Sequence, residues 1–262
     1  MEPPGTSARW VEARLRAAGC VFAGDEARLL ISAAATPADL TSMVERRAAG
    51  EPLEHVVGWA EFCGMRIGVD PGVFVPRRRT EFLVTHAIAV ARPRAVVLDM
   101  CCGSGAIGAA IAANVGAIEL HAVDVDPTAV ACARRNVAHV GGQVYAGDLY
   151  DALPASLHDR VDVLVANAPY VPTEAIALLP TEARVHEPRV ALDGGPDGLD
   201  VQRRLIDGAS PWLAPQGHLL IETSEQQAPQ TADAMARTGL HPRVERSDAL
   251  NASLVIGTAS AR

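Results

Sequence analysis

The chain has 262 residues, of which 49% are hydrophobic, and its formal net charge is −8 at neutral pH. This length suits one large domain, alone or with a small accessory part, and the apolar content is sufficient for a folded core. The acidic balance argues against direct nucleic-acid binding through counterion release. No apolar run reaches the roughly 18 residues of a membrane helix and no secretory signal is evident, so we expect a cytoplasmic, monomeric protein.

The cysteines give no sign of a metal site. They show neither a CxxC pair nor a nearby histidine at zinc spacing: Cys20, Cys63, Cys101, Cys102 and Cys132. Cys101 and Cys102 are adjacent and could form a redox pair, although small residues that fill a tight turn are the favoured interpretation. We therefore predict reduced thiols and no bound metal.

The N-terminal part is predicted to be helical. Apolar residues recur at helical spacing from residue 7 to about residue 50, and the segment TPADLTSMVERRAAG begins with a threonine cap and a proline and ends on glycine. We predict a small helical domain over residues 1–52. Residues 53–75 alternate in polarity and carry repeated glycine and proline, which predicts a β-hairpin linker.

The rest of the chain, residues 76–262, alternates strand-like and helix-like segments. RAVVLDM, IELHAVDV, GQVYAGD, RVDVLVAN and GHLLIET predict strands with helices between them, and PRVERSD with ASLVIGTAS predicts a closing hairpin. This alternation predicts an α/β fold whose mostly parallel sheet is covered by helices on both faces. Ligands of such folds bind at the carboxyl ends of the strands.

The first of these strands ends in LDMCCGSGAIG, whose glycines at 103, 105 and 108 have the GxGxxG spacing of nucleotide-binding loops. Asp124 ends the next strand, where a carboxylate can accept hydrogen bonds from ribose hydroxyls. Asp99 precedes the glycines, and a carboxylate there would attract an amino-bearing ligand but repel a pyrophosphate. This combination favours S-adenosylmethionine over NAD.

Two further motifs follow the third and fourth strands. Asp148 could bind an adenine amino group, and a helix cap is an equally good interpretation of it in isolation. The fourth strand leads into Asn167, Ala168, Pro169 and Tyr170. The Asn167 side-chain oxygen and the Ala168 carbonyl could hold both hydrogens of a planar amino group, while Pro169 stiffens the turn and Tyr170 packs over the group.

Together these blocks resemble the class I SAM-dependent methyltransferases. GEPLEHVVGWAEFCGMRIGVDPGVFVPRRRTEFLV, EPRVALDGGPDGLDVQRRLI and GHLLIETSEQQ narrow the resemblance to the HemK/PrmC protein-glutamine methyltransferases, over roughly residues 50 to 258. The resemblance implies a Rossmann-like fold with a seven-stranded, mostly parallel sheet, a catalytic domain over residues 76–262 and an N-terminal domain that selects the protein substrate. It also implies methyl transfer to a glutamine side-chain amide, in known members that of the Gly-Gly-Gln loop of peptide-chain release factors or of a ribosomal protein, with S-adenosylhomocysteine (SAH) as product.

Site residues are carried over from the family by position. Asn167, Ala168, Pro169 and Tyr170 would hold the substrate amide. The cofactor-binding residues implied are Phe74, Pro76, Arg77, Thr80, Asp99, Cys101, Gly103, Gly105, Asp124, Val125, Asp148, Leu149 and Asn167. Cys101 replaces a glycine of the family and Ala168 replaces a proline, so we expect a glycine loop less close to the methionine moiety and a less preorganised turn.

Three other functions compete with this one. The same asparagine and tyrosine could hold the exocyclic amine of a nucleobase, although the acidic charge and the lack of a base-flipping module count against it. The interpretation as an NAD(P)-dependent oxidoreductase is supported by the GxGxxG spacing alone, and it gives Asp99 and Asn167 no function. A degenerate module that binds without turnover is consistent with the substitutions at Cys101 and Ala168.

Overall fold

The computed structural model describes residues 7–261, so residues 1–6 and 262 of the predicted domains lie outside it. Its N-terminal part consists of the helices α1 (Ala8–Ala17), α2 (Ala23–Ala33), α3 (Pro37–Ala48) and α4 (Leu53–Val57). Thr36 caps α3 by accepting a hydrogen bond from the Asp39 amide, and Pro37 takes the first helical position, which confirms the predicted cap. The apolar faces of these helices form a core of their own: Val11, Leu15, Ala23, Ala27, Leu30, Leu40, Val44 and Val56.

A hairpin follows, with β1 (Trp59–Phe62) antiparallel to β2 (Met65–Gly68). Cys63 and Gly64 form its turn, both at positive φ, as two-residue hairpin loops favour. The hairpin was predicted, but its first residues, 53–57, are helical instead. Apolar side chains at helical spacing draw this segment onto the N-terminal core, and Gly58, at φ +82°, ends the helix.

In the described chain one sheet has seven strands: β3 (Val96–Met100), β4 (Glu119–Asp124), β5 (Gln143–Ala146), β6 (Val161–Ala166), β7 (Leu213–Thr223), β8 (His241–Ser247) and β9 (Ala252–Thr258). Their order is β5-β4-β3-β6-β7-β9-β8. β9 is antiparallel to β7 and β8, and the remaining neighbours are parallel. The predicted α/β architecture with a mostly parallel sheet and a closing hairpin is confirmed.

Helices cover both faces of this sheet. They are α5 (Glu81–Val90), α6 (Ala106–Val115), α7 (Pro127–Val137), α9 (Asp200–Ala209) and α10 (Ala228–Arg237), whereas the short α8 (Thr181–His186) lies in the segment between β6 and α9. Successive strand residues point to opposite faces, so Val97 packs with α5, α6 and α7, whereas Leu98 packs with α9 and α10. Both sides are apolar, as a parallel sheet requires. Within residues 7–261, every helix is too short or too polar to span a lipid bilayer.

The strand order places a topological switch point between β3 and β6. The chain leaves β3 to build β4 and β5 on one side, then crosses to β6 on the other. Crossover loops diverge at such a point and leave a crevice at the carboxyl ends of the strands. The glycine loop after β3 and the turn after β6 therefore face each other across this crevice.

Candidate active site

A cavity of about 270 Å³ lies at the carboxyl ends of β3, β4, β5 and β6; we call it the first cavity. Many of the residues selected from the sequence line it: Phe74, Pro76, Thr80, Cys101, Gly103, Asp124, Val125, Asp148, Leu149, Asn167 and Pro169. Arg77, Asp99, Gly105, Ala168 and Tyr170 do not line this cavity. The fold thus brings residues as far apart in sequence as Phe74 and Arg204 to one crevice.

The glycines of the loop after β3 serve two purposes. Gly103 adopts φ +54° in the turn that faces the cavity. Gly105, at φ +75°, instead meets helix α7, since a Cβ placed on it would lie 3.1 Å from the Cβ of Ala133. Cys101 also has a left-handed backbone, at φ +56°, which favours glycine over any residue with a side chain. The substitution at Cys101 therefore places strain directly at the cavity wall.

Asp124 connects the end of β4 to the glycine loop. One carboxylate oxygen accepts a hydrogen bond from the Gly103 amide at 2.8 Å, and the other accepts one from the Asp126 amide at 2.9 Å. Burial raises the pKa of the Asp124 carboxyl. Each oxygen retains lone pairs beyond these bonds, so the side chain can still accept hydrogen bonds from a pair of hydroxyls in the cavity.

Asp99 lies beneath the glycine loop and is fully buried, in contrast to the ligand-facing position that the sequence suggested. One oxygen accepts a hydrogen bond from the Gly108 amide at 2.9 Å, and within residues 7–261 the other has no partner. Burial raises the pKa of Asp99 to about 8. The group is therefore mainly uncharged at neutral pH, so it supports the loop and presents no negative charge to a ligand.

Asp148 lies at the far end of the first cavity, beside Leu149. Its side chain makes no capping hydrogen bond to the short helix that follows, so the alternative interpretation as a cap is not supported. It pairs instead with Arg204 of α9, at 2.7 Å, and Arg204 also lines the cavity. The sequence did not single out Arg204, because its proximity to Asp148 depends on how α9 packs on the sheet.

The turn after β6 is held from several sides. The Asn167 side-chain nitrogen donates a hydrogen bond to the Thr80 hydroxyl at 3.3 Å, and the Gln227 side chain donates one to the Tyr170 carbonyl at 3.0 Å. Ala168 is buried. At Gly198 a Cβ would lie 2.3 Å from the Tyr170 carbonyl oxygen, so only glycine permits this approach.

A second cavity of about 430 Å³ opens on the other side of this turn. Asn167, Ala168, Pro169 and Tyr170 line it, together with Phe74, Arg77, Arg79 and parts of residues 179–192. Phe74, Asn167, Pro169 and Ala191 line both cavities. Two ligands bound in the two cavities would therefore meet at Asn167, an arrangement suited to transferring a group from one to the other.

Each arginine of the second cavity is paired with a buried glutamate. Arg77 forms an ion pair with Glu187, whose side chain also accepts a hydrogen bond from the Val75 amide at 3.2 Å. Arg79 forms one with Glu222 at 3.3 Å. Nothing in the local sequence pattern indicated that Glu187 or Glu222 would be buried.

The arrangement matches known methyltransferases in sequence and in fold. Residues 64–196 match the family described as Methyltransferase small domain. Release factor glutamine methyltransferases from Geobacter sulfurreducens and Streptomyces coelicolor are both 40% identical to this chain, over 199 residues (75% of this chain and 69% of that protein) and 192 residues (72% and 68%), respectively.

Among solved structures, a methyltransferase from Pyrococcus furiosus superimposes with a TM-score of 0.58 at 16% identity, covering 75% of this chain and 90% of that one. This likeness supports the fold alone, and it confirms the predicted class I methyltransferase fold. The sequence relatives are similar enough to this chain, over a large enough share of their own length, to establish the family. The chain belongs to the HemK/PrmC family of release factor glutamine methyltransferases.

Proposed function

We propose that this protein transfers a methyl group from S-adenosylmethionine to the side-chain amide nitrogen of a glutamine in a peptide-chain release factor. The observation that carries the proposal is the position of Asn167 in the wall shared by two cavities. Relatives that are 40% identical are named for this reaction. The remaining argument concerns how the residues of each cavity suit one of the two reactants.

The first cavity suits the cofactor. Its wall combines the Asp124 carboxylate, which retains lone pairs for ribose hydroxyls, with the apolar side chains of Val125, Leu149 and Ile107, which can contact an adenine ring. The glycine loop around Gly103 provides close backbone approach for the methionine part. When bound, S-adenosylmethionine supplies an electrophilic methyl group on a sulfonium. Phe74, Pro76 and Thr80 would cover this ligand from the segment after the hairpin.

The second cavity suits the glutamine side chain. We infer that the Asn167 side-chain oxygen and the Ala168 carbonyl accept hydrogen bonds from the two amide hydrogens, while Pro169 and Tyr170 bound the amide plane. This grip aims the nitrogen at the shared wall, where it would gain the methyl group and release one proton to solvent, with SAH as the leaving group. Orientation and fixed dipoles would supply most of the rate enhancement.

We propose that the helices of residues 1–52 select the protein substrate. Arg47 of α3 is buried, pairs with Glu26 at 2.6 Å and also reaches Glu182, which lines the second cavity. A protein bound to these helices would therefore lie next to the proposed glutamine site. The five free thiols suit a reducing compartment, and we place the protein in the cytoplasm, acting as a monomer.

The test uses the purified protein, S-adenosylmethionine with a labelled methyl group, and an unmethylated release factor purified from the same organism. We expect label on one glutamine of the release factor, located by mass spectrometry, and none with Asn167→Ala. RNA and DNA are offered in parallel, since the same grip suits an exocyclic amine. Label on nucleic acid but not on protein would instead support a methyltransferase that acts on nucleobases. Binding of SAH without any methyl transfer would indicate a binding module.

A further inference from the structure

Glu222 is a buried carboxylate beside the proposed glutamine site, to which the proposed function assigns no role. It lies near the carboxyl end of β7, where the sheet register pairs Ala166 with Ile221. Asn167 and Glu222 are the next residues along the chain after Ala166 and Ile221, so they lie side by side at the same edge of the sheet. The Glu222 side chain is only 3% exposed, and within residues 7–261 one of its oxygens has no hydrogen-bond partner.

Groups of the second cavity converge on the other Glu222 oxygen. The Tyr170 hydroxyl donates to it at 3.5 Å and the Arg79 guanidinium at 3.3 Å. Arg79 also lies over the Tyr170 ring, 5.7 Å from its centroid. Burial raises the pKa of Tyr170 to about 12, so this hydroxyl keeps its proton and acts as the donor. The carboxylate thus holds the ring that bounds the proposed amide plane.

Thr80 links the carboxylate to Asn167. Its side chain is buried, it accepts the hydrogen bond from the Asn167 nitrogen, and its hydroxyl lies close enough to Glu222 to lower the pKa of that carboxyl. A hydroxyl has a single proton, whereas an ionised carboxylate only accepts. Thr80 must therefore donate to Glu222 and accept from Asn167.

This polarity decides which way the Asn167 amide faces. Its nitrogen must turn to Thr80, and its oxygen is then free for the two cavities, where the substrate amide needs an acceptor. If neighbouring groups did not constrain it, the Asn167 amide could rotate by half a turn. Its NH₂ group would then face the NH₂ group of the substrate, and no hydrogen bond could form between these two donors. Burial raises the pKa of Glu222, and the positive charge of Arg79, together with the Thr80 and Tyr170 hydroxyls, opposes that rise and favours the ionised form.

We propose that Glu222 is a positioning residue for methyl transfer, an acceptor that sets the orientation of Asn167 through Thr80 and holds Tyr170 directly. The inference depends on the proposed function, in which the Asn167 oxygen receives the substrate amide. It assigns Glu222 no contact with either reactant. Its effect is expected on the rate of transfer and on binding of the protein substrate, with little effect on cofactor affinity.

The test compares Glu222→Gln, Thr80→Val and the double variant. We expect each single change to lower kcat by about ten- to a hundredfold, since small misplacements of reacting groups have effects of this size. The kcat of the double variant should be no lower than that of the more impaired single variant, because both changes break the same chain of hydrogen bonds. Thr80→Ser, which keeps the hydroxyl, should regain most of the rate. Thr258→Val, a control that removes a partly buried hydroxyl bonded to His218 at the opposite edge of the sheet, should stay within about threefold of the unaltered protein.

A second readout does not depend on activity. The side-chain amide resonances of Asn167, assigned with Asn167→Ala, should shift in ¹⁵N-labelled Glu222→Gln and Thr80→Val but not in Thr258→Val. Any of three results would overturn the positioning role. These are unchanged Asn167 resonances, a Glu222→Gln protein with unaltered kcat, and a double variant whose loss of kcat is the product of the two single losses. If the unaltered protein methylates no glutamine, the proposed function fails, and the resonances still decide whether Glu222 orients Asn167.

Discussion

The two cavities that meet at Asn167 are built in different ways. The first is formed mainly by the turns at the carboxyl ends of β3, β4 and β5, so most of its residues come from compact motifs that follow strands, although the segment after the hairpin and parts of residues 188–191 also line it. The second combines the turn after β6 with arginines from the segment after the hairpin and with residues 179–192. A nucleotide-type site can thus come directly from the sheet, whereas the proposed substrate site depends on loops that other elements must hold.

Their electrostatics differ as well. The first cavity has Asp124 on its wall, and an uncharged Asp99 beneath its glycine loop. The second has Arg77 and Arg79, each neutralised by a buried glutamate. Charge in the first cavity is available to a ligand, whereas charge in the second holds loops in place. The following predictions test this division, from the largest expected effect to the smallest.

Asn167→Ala should reduce kcat for glutamine methylation by about 10²- to 10³-fold, because it removes one fixed acceptor of the substrate amide. The affinity for SAH, measured by calorimetry, should change by less than about fivefold, since Asn167 forms only a small part of the first cavity. A large loss of SAH affinity with an unaltered rate at saturation would contradict this assignment of Asn167 to the second cavity.

Asp124→Ala should weaken SAH binding by about 10²-fold, because a partly buried acceptor for hydroxyls and the hydrogen bond that holds the Gly103 amide are both lost. Asp162→Ala is a suitable control: this carboxylate also accepts a backbone hydrogen bond, from Val96, but at the opposite edge of the sheet. Calorimetric titration of both variants with SAH provides the measurement. Equal SAH affinities of the two variants would show that Asp124 does not contribute to cofactor binding.

Asp99 should make stability depend on pH. The folded protein keeps the Asp99 proton up to about pH 8, whereas an unfolded chain releases it near the ordinary value of 3.8. Between these values the folded state binds more protons, so the free energy of unfolding contributed by this group falls by roughly 1.4 kcal/mol per pH unit as pH rises. Urea unfolding from pH 5 to pH 8, compared with Asp99→Asn, should show this difference in slope, and parallel curves would rule it out.

Cys101→Gly should raise the free energy of unfolding by about 0.5 to 1 kcal/mol, because glycine adopts the left-handed backbone at φ +56° without the steric conflict of a Cβ. The melting temperature should rise by a few degrees. Cys102→Gly, at a neighbouring position without positive φ, should instead destabilise the protein. A lower melting temperature for Cys101→Gly would show that packing of the thiol outweighs backbone strain.

Prediction from the sequence succeeded where a local pattern determines the structure. Apolar strands, the Thr36 cap and the glycine spacing each reflect short-range preferences, and the elements they predicted are present. The main correction lies in residues 53–57, where an apolar pattern compatible with a strand is drawn into a helix by the N-terminal core. The ligand-facing charge expected at Asp99 was not found, because the loop after β3 folds over it.

The sequence by itself determined the α/β alternation, the motifs at the strand ends and the family, because strand period, turn residues and motif spacing are properties of short segments. Only the tertiary structure decided that Arg79, Thr80 and Tyr170 meet a buried Glu222, and that Arg47 reaches Glu182. Partners so distant in sequence are selected by the packing of whole elements. Their protonation and hydrogen-bond polarity follow from burial, which no local pattern specifies.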